Sequence, residues 1–226
     1  TNNVTLTADT ATDPTVNVTG DVDFTGTLAG SEALISGTGT WTVSGSVNFT
    51  DGSYTATSGN TLAMNGASKV LTPSTSTLYH LTTSNTVSVA AGNLTLAGNM
   101  TISSSTFTGP SGTFSIAGNW TNSGAYTPNS GLVKFNGTTS QSLTTNNSLS
   151  ASCGGVAVTQ TANKQFYDVE FASSASTISL ATGHDLGVNH NLTISSGTFD
   201  IGDNSNQIYL QGDWDMSTVA GSAYNG

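Results

Sequence analysis

The chain contains no arginine, and its only lysines are Lys69, Lys134 and Lys164. Neutralising a phosphate backbone takes several basic side chains. The formal net charge of −10 points the other way. Nucleic acid and anionic membrane surfaces are therefore not expected as partners. Cysteine is nearly absent too. Cys153 stands alone, so no disulfide framework forms within one chain. That leaves a tolerated thiol or a bridge between two chains. No apolar run is long enough to span a bilayer. No signal-peptide pattern is visible, and the first residue is Thr1 rather than Met. We read this as a processed product or a segment of a longer chain.

Charge of either sign is scarce: Asp, Glu, Lys and Arg make up only 7% of the residues, against about a quarter in an average globular domain. Gly, Ser, Thr and Asn fill the gap. So little charge argues against charge-driven disorder. Thr, Val, Ile and Phe recur in short runs, which favours many short strands. No window has a helical period built from helix formers, so almost no helix is expected.

What is present is repetition. One seven-residue pattern recurs: apolar, any, Gly, Asn/Asp/Ser, apolar, any, apolar. It reads VTGDVDF at 18–24, VSGSVNF at 43–49, LAGNMTI at 96–102 and LQGDWDM at 210–216. IAGNWTN at 116–122 keeps the first five positions, and VNHNLTI at 188–194 puts His190 in the Gly place. The starts lie 25, 53, 20, 72 and 22 residues apart. The short intervals suggest one unit of about 20 to 25 residues, and the long ones suggest two or three such units. NMTISSSTF at 99–107 also matches NLTISSGTF at 191–199, as if four short units made a longer one.

Within each unit the apolar residues alternate. Val43, Val47 and Phe49 share one parity, as do Ile116 and Trp120, and Leu210, Trp214 and Met216. Period two places each set on one face of a strand. The glycines mark corners, where a following Asn or Asp tolerates left-handed backbone. One such unit cannot bury its own core, but stacked copies can. The expected fold is all-β: a β-solenoid, or parallel β-helix, of about nine or ten coils and roughly 45 Å in length. A β-sandwich or jelly roll is the alternative. We expect one solenoid domain over 1–226, with a loop insertion at 138–165 where the register is poor.

GNWTNSGAYTPNSGLVKFNGTTSQSL at 118–143, FYDVEF at 166–171 and NLTISSGTFDIG at 191–202 resemble a widespread repeat. It is the β-strand repeat of large secreted bacterial surface proteins, which are adhesin-like parallel β-helices. The resemblance is good over about 93–226 and loose over 1–92. It implies an extracellular or cell-surface location and no catalytic residues.

Candidate sites are few. The pairs Asp21/Asp23, Asp168/Glu170 and Asp213/Asp215 point to one side of a strand, and nothing beside them signals a cleft. Asp200, Asp203, Asp213 and Asp215 form the densest acidic region and are candidate calcium ligands. Its alternative role is a solvated acidic face. His184, Asp185 and His190 would need to converge to hold a transition metal. Trp41, Trp120 and Trp214 read as core, whereas Tyr126, Tyr167 and Tyr224 are surface candidates for stacking on sugars. Glycosylation sequons start at Asn3, Asn17, Asn48, Asn93, Asn99, Asn119, Asn136, Asn146 and Asn191. Thr-x-Thr pairs, among them Thr5/Thr7 and Thr75/Thr77, would bind ice if stacked on a flat wall, but their spacing is irregular.

These features point to a structural or adhesive extracellular protein rather than an enzyme. It would self-assemble through strand edges into a fibre, sheath or adhesin stalk, with NNVTLTAD at 2–9 as an edge or donated strand. A glycan- or receptor-binding module is the second reading. Ice binding and an enzyme acting on polysaccharides follow behind.

Overall fold

A computed structural model describes residues 4–7, 15–24, 32–150, 159–161, 163–216 and 223–225. The protein is an all-β parallel solenoid with no helix among the described residues. A regular coil contributes one short strand to each of three walls, and later coils run the first two walls together in one long strand. The first wall starts at Val4–Thr7 and runs through Glu32–Ile35, Ser53–Thr55, Thr77–Leu78, Leu94–Leu96, Thr113–Ile116 and Leu132–Phe135. It continues into the first halves of Asp168–Leu180 and Leu192–Asp200 and ends on Trp214–Asp215. The second wall starts at Val16–Val18 and includes Thr40–Val43, Thr61–Met64, His80–Thr83, Met100–Ile102, Trp120–Asn122 and Gln141–Thr144. The third wall is a six-stranded sheet from Val22–Asp23 to Ala125–Thr127, followed by the pair Leu186–Val188 and Ile208–Leu210. Six and two strands make about eight turns, close to the number expected.

The alternating pattern places the core as anticipated. On the first wall Leu78, Leu96, Ile116, Phe135, Phe171 and Ile194 stack in one inward ladder, each at most 1% exposed. On the second, Trp41, Leu62, Leu81, Met100, Trp120 and Leu143 form another inward ladder, each at most 5% exposed. At mid-length Phe114, Tyr126, Phe135 and Phe166 close around Trp120. Tyr126 is therefore core and not surface, and burial pushes its phenol pKa far up. The parity rule is broken at a few inward positions. Thr83 and Asn122 are buried there, and neither amide atom of Asn122 meets a partner.

The seven-residue motif marks corners, but not one corner per coil. Copies 18–24 and 43–49 join the second wall to the third. Copies 96–102 and 116–122 join the first to the second. Copies 188–194 and 210–216 join the third to the first. The short intervals thus separate neighbouring coils at one corner. The long intervals move the motif to a different corner and are not whole numbers of coils. Likewise 99–107 spans the second and third walls, whereas 191–199 spans the first and second. The true sequence unit is one wall-and-corner, about a third of a coil.

The corner glycines are also not left-handed. Gly45, Gly98, Gly118 and Gly212 all lack positive φ. Their constraint is close approach. A Cβ on Gly45 would lie 2.2 Å from Gly20 O, and one on Gly118 would lie 2.4 Å from Asn99 Oδ1. The following polar residue explains the approach, because its side-chain oxygen accepts a backbone N–H from the next coil. Asn99 Oδ1 accepts from Asn119 N at 2.8 Å, and Asn119 Oδ1 accepts from Ser142 N at 2.8 Å. Asp21 serves Ser46 N at 2.7 Å, and Asn191 serves Asp213 N at 2.9 Å. Each bond satisfies a donor that the turning chain would otherwise leave unpaired.

The coil path is left later than residue 138. Gln141–Thr144 still pairs with Trp120–Asn122 on the second wall. Leu149–Ser150 and Thr159–Gln160 then form an antiparallel pair, and Phe166 rejoins the stack by bridging to Val188. Buried Asp185 ties this excursion down. Its carboxylate accepts from Leu149 N at 2.5 Å and from Gln207 N at 2.7 Å. Lys164 lies in the same region, donates to Gly124 O, and has its pKa lowered by burial.

Candidate functional site

The acidic side chains do not gather as the sequence suggested. Asp200 closes the second-wall strand and accepts from Gly202 N, while Asp203 accepts from Ser205 N in the following turn. Asp215 lies on the first wall beside Thr193, and Asp213 lies at the corner before it. Among the described residues no group of three or more His, Cys, Asp and Glu is placed to hold a metal ion. His184, Asp185 and His190 are likewise engaged separately. His184 Nδ1 accepts from Asn146 N at 2.9 Å, and His190 Nδ1 meets Asp168. Cys153 and Asn3 lie outside the described residues. Of the other sequons, Asn17, Asn93, Asn119, Asn136 and Asn146 are exposed. Asn93, Asn99, Asn119 and Asn191 use their side-chain oxygens to bond the next coil. A glycan on their amide nitrogens would have to leave those bonds intact.

One region concentrates distinct chemistry. Asp168 and Glu170 start the first-wall strand of their coil, side by side on its outer face. Lys134 from the coil below is ion-paired with Glu170 at 2.8 Å. Above, Ser195 Oγ donates to Glu170 at 2.7 Å. Asp168 Oδ1 accepts from Asn191 N at 2.9 Å and also meets His190 Nδ1 at 2.8 Å. Tyr167 stacks on His190, with centroids 4.8 Å apart. A shallow depression of about 240 Å³ opens here between Leu132, Asp168, Glu170, Asn191 and Thr193. Asp21 and Asp23 border a similar one of about 210 Å³ on the third wall. So two of the acidic pairs do line concavities, contrary to the sequence reading. The partners Lys134 and His190 are remote in sequence, and only the coil register brings them to the carboxylates.

Threonines form another array that the sequence hid. Thr82, Thr101, Thr121 and Thr144 stack in register on the outer face of the second wall. They belong to none of the Thr-x-Thr pairs, of which Thr75/Thr77 reaches the first wall instead.

His80 stands where later coils have Asn99 and Asn119. Its Nδ1 accepts from Asn99 N at 2.8 Å, and burial holds its pKa below 6.5. A neutral ring is needed to accept. The folded chain therefore has its full stability above the unfolded value of about 6.5 and loses it as pH falls through the lower folded value. Protonation forfeits a hydrogen bond of about 1 kcal/mol. Urea melts at pH 7.5 and pH 5 should show that loss. His80→Asn retains an acceptor that does not titrate, so it should reduce the acid sensitivity. An equal acid loss in His80→Asn would refute this role.

No protein-family model, curated protein or solved structure matches the chain.

Proposed function

We propose that the protein is a structural or adhesive element of an extracellular surface assembly, built by strand-edge contacts between identical solenoids. The observation that supports this most is the last described rung of the first wall. Trp214 sits in register on Leu192, which is fully buried, yet Trp214 itself is 37% exposed. Ile208, Leu210 and Met216 at the same end are only partly buried against the core. At the opposite end Val16, Val18, Val22 and Phe24 are partly buried in the same way. Both ends of the described stack present parallel strands and inward apolar side chains in the register that holds the coils together. Such edges accept a further strand, and a head-to-tail contact repeats into a filament. The uncompensated acidity favours a hydrated exterior along the rod. The resemblance to secreted surface repeats supports the same location.

Light scattering over a concentration series is the test. We expect mass to rise with concentration, and rods one solenoid wide in electron micrographs. A monodisperse monomer at millimolar concentration would rule out self-assembly.

A further inference from the structure

We propose that the corner carrying Tyr167 and His190 is a binding site for a neutral sugar ring of a glycan. The two residues hold the same ladder position on successive coils, and His190 N donates to Tyr167 O at 2.9 Å. Their rings are 4.8 Å apart and inclined by only 15°. That distance is the strand spacing of about 4.8 Å, so the ring planes lie across the solenoid axis and their faces look along it. The coil below supplies Gly131 at this position, and the coil above supplies Gly212. Neither has a side chain to cover a ring face. Gly212 cannot acquire one, because its Cβ would lie 2.3 Å from His190 O. Gly212 is exposed whereas Gly131 is buried, so the pair's open face is the one His190 turns toward Gly212. His190 has 48% of its side chain exposed, in keeping with an open platform.

The polar half of the site is the adjoining depression with Asp168, Glu170, Asn191 and Thr193. Its carboxylates are not bare. Glu170 is paired with Lys134, and Asp168 is hydrogen-bonded to His190. The site therefore offers acceptors and donors with its acidity largely answered. A pyranose has an apolar C–H face for the aromatic platform and a rim of hydroxyls for the polar groups. With Glu170 offset by Lys134, a uronate or phosphate would bring its negative charge against the Asp168 carboxylate. Neutral sugars fit, and anionic ones do not. The site lies on the side of the rod, so binding does not depend on end-to-end assembly, and either reading can fail alone.

Calorimetric titration and saturation-transfer NMR with cellopentaose, maltopentaose, laminaripentaose and trigalacturonate test the proposal. At least one neutral oligosaccharide should bind and trigalacturonate should not. Tyr167→Ala should weaken binding about tenfold, while Tyr167→Phe, which keeps the ring, should retain it. Melting curves will show that the variants fold. Should Tyr167→Ala fail to fold, Glu170→Gln takes its place, with a smaller loss expected. Absence of binding to every neutral probe, binding of trigalacturonate alone, or undiminished binding by the folded variant overturns the proposal.

Discussion

Gly45→Ala should destabilise the protein by about 1–3 kcal/mol, the range for forcing a methyl into a packed interior, while Gly20→Ala should leave the monomer unharmed. The two glycines occupy the same place in two copies of one motif. What differs is the coil beneath. A Cβ on Gly45 would meet Gly20 O at 2.2 Å and Asp21 Oδ1 at 2.4 Å. Backbone is the obstacle, so no rotamer change relieves it. The coil would have to lift, and Ser46 N would pull away from Asp21 Oδ1, now 2.7 Å from it. A Cβ on Gly20 meets nothing within 4 Å, and its φ is not positive. That substitution should even gain about 0.4–1 kcal/mol by restricting the unfolded chain. Urea denaturation of both variants decides the matter. Equal losses would show that the glycines serve backbone conformation instead of coil contact. The same geometry bears on assembly. A solenoid docking beneath the first coil would approach Gly20 as that coil approaches Gly45. Gly20→Ala should therefore impair association while sparing the monomer.

This contrast also shows what the sequence could disclose. The alternation of Val43, Val47 and Phe49, or of Ile116 and Trp120, was enough to name inward residues and a solenoid. Period two needs only local chain geometry, and each wall obeys it. The coil register was less accessible. Three walls of similar chemistry accept the same seven residues, so a motif match does not say which corner it occupies. The intervals of 53 and 72 residues therefore resemble whole coils in the sequence but join different corners. Tyr126 is core and not a surface residue, and nothing next to it in the sequence shows this. Its burial comes from Trp120 and Phe166, the latter 40 residues away and past the excursion. The polar site was half legible. The spacing of Asp168 and Glu170 placed them together, but Lys134 and His190 reach them only through pairings across 36 and 22 residues. Nothing local in the sequence marks such pairings.

Trp120→Ala should cost about 3–5 kcal/mol, as expected for removing a large aromatic from a core, and Trp214→Ala should cost roughly 1 kcal/mol or less in the monomer. Both residues follow the motif's Gly-Asn or Gly-Asp corner and both start an inward ladder position. Trp120 has a coil on each side, Met100 below and Leu143 above. It is 1% exposed and makes edge contacts with Phe114, Tyr126 and Phe135. Its loss leaves a cavity that a rigid ladder cannot close, because each coil is pinned by the bonds of the coils around it. Trp214 rests on Leu192 below and remains 37% exposed. Thermal melts should separate the two variants by many degrees. Association should rank them in the opposite sense. A large, partly exposed apolar ring on the last described rung is the kind of residue that dominates an interface. Trp214→Ala should thus keep the melting temperature and shift the self-association seen by light scattering to higher concentration. A Trp214→Ala variant that melts normally and still associates like the native chain would move the contact away from this end of the solenoid.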